Sequence, residues 1–299
     1  MRFINSYRFT TASPTIYDNA TVIYSLRNIF NWNKAILKIR RSSDNAVKWV
    51  FFDGVTITLS SLTGDDRMIK TATTLGIWIG SDDGFVEEWI GQTHDNILDI
   101  NKVLFSKIGI QFQPQVVFNG VIDVAPSNNL PQIHSNGSDL FLVTDVAISE
   151  LDSSNSHTIF TIANLETSGG LGAIFTTEQS TNIRYAGFLD NRVNALISLV
   201  QTSSGTSTVN ASTQLNSTLP RLQTFIHTPN NISGYRNNVF TETTSYSNSY
   251  NNNLFRIFTQ HGSLTDLVGG IQELVIFPSD KTSDLTTLHA DINSYYTIY

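Results

Sequence analysis

Six histidines, at positions 94, 134, 157, 227, 261 and 289, are the side chains best suited to proton transfer or metal ligation. Their spacing supports neither. No two of them lie on one side of an element near a carboxylate, so the zinc-hydrolase and deaminase patterns are absent. A Ser-His-Asp arrangement can be assembled from distant segments of any chain, but no Gly-x-Ser-x-Gly elbow occurs here. Ser168-Gly169-Gly170-Leu171-Gly172 has no helix behind it to complete a phosphate cradle and reads as a turn between strands. Asp65-Asp66 and Asp82-Asp83-Gly84 offer oxygens to calcium, yet adjacent acids in loops are more often solvated turn formers. No metal, no cofactor and no catalytic residue is assigned on this basis.

Aromatic residues carry the other available chemistry. Trp32, Trp49, Trp78 and Trp89 have the flat apolar faces that stack on sugar rings, but all four lie inside or beside apolar runs, where burial is the expected fate. Tyr246, Tyr250, Asn251, Asn252 and Asn253 belong to the Ser- and Asn-rich tract 241–253, read as a loop between strands. A loop tyrosine supplies both a stacking face and a hydroxyl, so these five are the candidate glycan-binding residues, with an ordinary polar loop as the competing reading.

The elements that would hold such residues are strands. Charged residues make up only 14% of the 299-residue chain, against about 25% in typical domains. Ser, Thr and Asn supply the polarity instead, which favours strands and turns over helices. A net charge of −7 and the lack of a basic stripe exclude the electrostatic footprint of a nucleic-acid binder. The short basic run 38–41 is expected to be the wet face of a strand. There are no cysteines, hence no disulfides or thiolate metal sites. No segment is long and apolar enough to cross a bilayer, and the first residues lack the apolar core of an export signal, so a soluble protein without membrane insertion is expected.

Strand candidates begin at Ala20–Arg27, which also reads as the start of a helix, and continue with 35–41 and 47–52. The runs 75–80 and 85–90 flank a turn and read as a hairpin or two short strands. From Asp139 onward short strands alternate with turn chemistry, as in a sandwich or barrel. Asn237-Asn238 is a tight-turn candidate. Leu254–Thr259 and Ile271–Phe277 demand partners from earlier in the chain, so the two ends of the fold must meet. After Pro278, Ser283 or Asp284 is placed to cap a helix with Leu285, Leu288 and Ile292 on one face.

Taken in order, Ile23-Tyr24-Ser25-Leu26-Arg27, Leu37–Asn45, Gly84–Gln92 and Gly270–Phe277 followed by Pro278-Ser279-Asp280 resemble the catalytic sandwich of the arabinofuranosidase B family. The resemblance implies an all-β, concanavalin-like jelly-roll sandwich with a short C-terminal helix. It divides the chain into an N-terminal arm, 1–19, and a body, 20–299, whose half 115–299 is similar to a laminin-G-type domain. It also implies that the family's chemistry is missing. The family's acid is an Asp in a Gly-Gly-Asp-Asn turn where this chain has Gln260-His261-Gly262-Ser263, and the region matching its nucleophile, Ala186–Leu196, holds Asp190 but no Glu. The chain has none of the family's cysteines, and the family's appended arabinose-binding domain is expected to be missing too.

Sandwiches of this composite kind also resemble structural proteins of crAss-like tailed phages. The resemblance implies a non-enzymatic virion protein, a capsid decoration, head fibre or tail component, with the arm docked on other virion proteins and the sandwich displayed outward. A homo-oligomer, assembly in the host cytoplasm and a host surface glycan as ligand are the accompanying expectations. A glycan-binding adhesion module and an arabinofuranosidase-like hydrolase are the alternatives.

Overall fold

The computed structural model describes residues 15–93, 99, 103–106, 113–137, 140–152, 154–166, 171–180, 183–190, 195–202, 205–212, 219–246, 254–259 and 266–299. Its strands begin with Val22–Ser25 (β1), Ala35–Arg41 (β2), Val47–Phe51 (β3), Thr63–Gly64 (β4), Gly84–Ile90 (β5), Val103–Phe105 (β6), Gln115–Phe118 (β7), Val121–Ile122 (β8) and Ile133–Asn136 (β9). Leu142–Ala147 (β10), His157–Ala163 (β11), Leu171–Ser180 (β12), Ile183–Asp190 (β13), Ala195–Thr202 (β14) and Gly205–Ser212 (β15) follow. Arg221–Thr228 (β16), Asn231–Arg236 (β17), Val239–Ser245 (β18), Leu254–Ile257 (β19) and Val268–Phe277 (β20) complete the set. Two short helices, Leu75–Ile79 (α1) and Leu285–Tyr296 (α2), accompany them.

Antiparallel pairing arranges the strands in two layers. One runs β18-β17-β16-β11-β20, and the far edge of β20 is shared by β9 along its first half and β1 along its second. The other runs β15-β14-β13-β12-β19-β10-β6-β5-β2-β3. β7 pairs with both β5 and β9 and so ties the layers at one side. The layers face each other through Tyr24 against Trp89 and Phe225 against Phe175, with ring centroids 5.8 and 5.2 Å apart. This is an all-β sandwich, and the ends of the fold meet as expected, with Val22 opposite Ile276.

Side-chain alternation along β11 and β20 explains why the helix lies where it does. Ile159, Ile271, Leu274 and Ile276 enter the core between the layers, whereas Phe160, Ile162, Val275 and Phe277 point outward. That outer face is covered by Leu285, Leu288, Ile292 and Tyr296 of α2 and by Tyr17 from the lead-in. With both faces covered, every residue of β11 is buried. Fully burying each aliphatic side chain of α2 contributes about 1.5–3 kcal/mol.

Arg27 fastens this layer. Its guanidinium donates to Glu273 at 3.3 Å, to Asp291 at 2.8 Å and to the Tyr17 hydroxyl at 2.8 Å. Ser25 and the Tyr296 hydroxyl donate to the same Glu273 carboxylate. His289, also on α2, is buried with one ring nitrogen 2.7 Å from the Thr224 hydroxyl and the other 2.9 Å from the Asn238 side-chain oxygen.

Three local expectations are corrected and one left open is resolved. Leu75–Ile79 is a helical turn rather than a strand: the Thr74 side chain accepts from the Ile77 N–H, and Leu75, Trp78 and Ile79 share the buried side while Ile77 faces solvent. Ala20–Arg27 resolves as strand β1. Within 38–41, Arg40 is buried because Gln113, Asn45 and Phe85 cover it: it donates to Gln113 and Asn45 and lies over the Phe85 ring. Asp284 occupies the N-cap position of α2 without capping it through its side chain, because Lys281 holds the carboxylate at 3.0 Å. The Asn237-Asn238 turn is as expected, with positive φ of 45° and 63° between β17 and β18.

Candidate functional site

β7 and β9 pair through Gln115 opposite His134. Period-2 alternation on β9 buries Ile133 and Ser135 and leaves His134 and Asn136 on the opposite, accessible side. The hairpin β7–β8 turns on Asn119-Gly120, both at positive φ, and delivers Asp123 to the same place. Glu166 arrives from the end of β11, its N–H bonded to the Val268 carbonyl of β20. Gln115, Phe118, Asp123, His134, Asn136 and Glu166 line an open cleft of about 360 Å³.

His134 is the centre of this group. Its Nε2–H donates to Glu166 at 3.1 Å, and Nδ1 faces an Asp123 oxygen at 3.7 Å. Burial alone would make the imidazole a weaker base, but the hydrogen bond and charge of Glu166, with the charge of Asp123, raise its pKa. Asp123 is pushed up by burial, against the pull of His134. Glu166 is lowered, chiefly by the hydrogen bond from His134.

A second row of amides holds the carboxylates from behind. Gln132 donates to Asp123 and Asn164 donates to Glu166, each at 3.4 Å. Both amides pack on Gly270 of β20, whose N–H donates to the Asn164 side-chain oxygen at 3.2 Å. A Cβ at position 270 would lie 1.9 Å from the Gln132 side-chain oxygen and 3.0 Å from that of Asn164, so a side chain there would push the Gln132 amide out of its place.

Chemically this is an acceptor-rich cleft with an apolar platform. Phe118 keeps 57% of its surface exposed at the rim. The carboxylates lie against different nitrogens of His134, and among the described residues no group of three His, Asp or Glu side chains is placed to hold a metal ion. The acidic pairs elsewhere serve their turns: Asp82 accepts from Ser43, Asp83 from the Asn119 N–H and Asp66 from the Met68 N–H, while Asp65 is paired with Lys48.

Tyr246, singled out from sequence, does not line this cleft. Tyr246 is not an exposed loop ring: it is 7% exposed, and its hydroxyl is 2.6 Å from the Thr228 carbonyl and 2.5 Å from His227 Nε2. The tract leading to it is strand β18, which explains its burial. Tyr250, Asn251, Asn252 and Asn253 lie outside the described residues, as do Gln260-His261-Gly262-Ser263. Asp190 ends strand β13 opposite Leu171 and Ala195 rather than sitting in a turn. All four tryptophans are buried, and Trp49 and Trp78 are further covered by Arg67 and Arg41. Asp123, His134 and Glu166 went unrecognised because three separate segments supply them. The one local signal was Asn119-Gly120, a strong hairpin dipeptide.

No protein-family model matches the chain, and no curated protein matches it. Solved structures do. A GH54 α-L-arabinofuranosidase soaked with a cyclic sulfate inhibitor superposes with a TM-score of 0.62 at 9% identity, over 93% of this chain and 63% of that one. An arabinofuranosidase complexed with arabinofuranosyl-α-1,2-xylobiose gives 0.62 at 10% identity, over 94% and 64%. The chain therefore shares their sandwich fold and spans less than two thirds of their length.

Proposed function

We propose that this chain is a non-enzymatic glycan-binding module and that the cleft between Phe118 and the Asp123–His134–Glu166 group receives the sugar. The observation that carries this reading is the pairing of an exposed aromatic ring with convergent carboxylate, amide and imidazole groups in one open cleft. Sugars present C–H faces that stack on aromatic rings and hydroxyls that donate to carboxylates. A solved arabinofuranosidase of the same fold has a bound oligosaccharide, which agrees with the ligand class.

A hydrolase is the second reading, favoured by one fact: Asp123 is pushed up and Glu166 down, the split an acid and a nucleophile require. Against it, both carboxylates are engaged by His134 and by the amides behind them. The proposed setting is the surface of a virion, among other virion proteins and as a homo-oligomer; its support is the sequence resemblance. Proteomics of purified particles and light scattering on the recombinant chain test that setting.

The deciding experiment is a glycan array with wild type and Phe118→Ala, followed by incubation with 4-nitrophenyl α-L-arabinofuranoside. Saturable binding weakened about fivefold in the variant, the equivalent of about 1 kcal/mol, supports the proposal. Turnover abolished by Glu166→Gln supports the hydrolase. Absence of saturable binding by folded protein overturns the glycan reading.

A further inference from the structure

The hydrogen bonding of the cleft specifies the charge of its ligand, given the carbohydrate reading above. The carboxylates already have partners: Gln132, the Val124 N–H and, at 3.7 Å, His134 Nδ1 for Asp123, and Asn164 and His134 Nε2 for Glu166. A carboxylate offers about four acceptor positions, so each of the two retains capacity for a donor from the ligand. His134, which is cationic only when protonated, turns its ring nitrogens towards those carboxylates rather than towards the opening. No arginine or lysine lines the cleft among the described residues. The chain's net charge of −7 has the same sign as the cleft.

We propose that the cleft selects uncharged, hydroxyl-rich sugars and rejects sugars carrying a carboxylate or sulfate. A neutral sugar supplies the donors that Asp123 and Glu166 lack and stacks its C–H face on Phe118. An acidic sugar brings a further set of acceptors, loses its hydration on entry and meets like charge from two sides. The carboxylates thus serve as specificity determinants whose charge, and not only whose shape, filters the ligand.

The test is a glycan array carrying neutral oligosaccharides beside sialylated, uronic-acid and sulfated counterparts at equal density, probed with the full chain at neutral pH. Neutral probes are expected to exceed their acidic counterparts by roughly tenfold or more. Glu166→Gln and Asp123→Asn, which preserve shape and remove charge, are expected to narrow that ratio, and added salt to narrow it in wild type. Acidic probes binding as well as neutral ones, or a ratio unmoved by both variants and by salt, would overturn the inference while leaving the glycan reading intact. No saturable binding to any probe, with a cooperative melt proving the fold, would overturn both.

Discussion

Gly270 lies directly across the strand ladder from His134. The residue opposite the central side chain of the cleft is therefore one with no side chain, and the space it leaves is filled by Gln132 and Asn164, the two amides that hold Asp123 and Glu166. Gly270→Ala is expected to displace both amides, costing about 1–3 kcal/mol through overpacking and lowering sugar binding with it. Gly54→Ala is the control: at φ +67° with no neighbour within 4 Å, it costs about 1–2 kcal/mol of backbone strain and leaves binding unchanged. Urea melts and array titrations on the two variants separate the effects.

Arg27 neutralises Glu273, which is 1% exposed, and binds Asp291 of α2. Arg27→Met leaves a buried carboxylate unpaired and is expected to destabilise by about 3–5 kcal/mol. The double variant Arg27→Met with Glu273→Leu should recover most of that loss. Chemical denaturation midpoints measure both.

His157 and His227 are stacked face to face with centroids 4.5 Å apart, and burial lowers both, His227 to about 4. In the unfolded chain each titrates near about 6.5. The unfolded state thus binds more protons between those values, and the stability these rings contribute is present above about pH 6.5 and lost as pH falls towards about 4. His157→Phe, which keeps the stacking and removes one titrating ring, should flatten the acid limb of melting temperature against pH.

His134 has the opposite sign. Its raised pKa means that the folded state holds the proton more tightly, so its contribution is complete below about pH 6.5 and disappears as pH rises through the raised value. The melting-temperature difference between wild type and His134→Gln should shrink on the alkaline side. An NMR titration of the His134 ring checks the direction of the shift directly.

The fold was legible where local pattern and tertiary role agree. β20 demanded early partners and pairs with β1; Leu285, Leu288 and Ile292 share a face and bury it. Reading failed where burial is decided at a distance. Arg40 looks like a surface cation and is buried under Gln113, Asn45 and Phe85, two of which come from distant segments. Tyr246 looks like a loop aromatic and packs on His227, a partner no spacing rule connects to it. Asp123, His134 and Glu166 form the same kind of non-local set, since strand pairing fixes neighbours that sequence separation conceals.

β20 is the common partner of β1, β9 and β11. During synthesis these three must wait for β20 to emerge from the ribosome, each with an edge open to pairing with other chains. Two consequences follow for the cell. Prematurely terminated products ending before Val268 are the species most exposed to aggregation, and the pairing of β9 with β20 behind the Asp123–His134–Glu166 cleft forms only once residues 268–271 have been translated. Contacts spanning this much sequence also make folding slow, so expression at reduced temperature or with chaperones present should raise the yield of native protein more than any change at the surface.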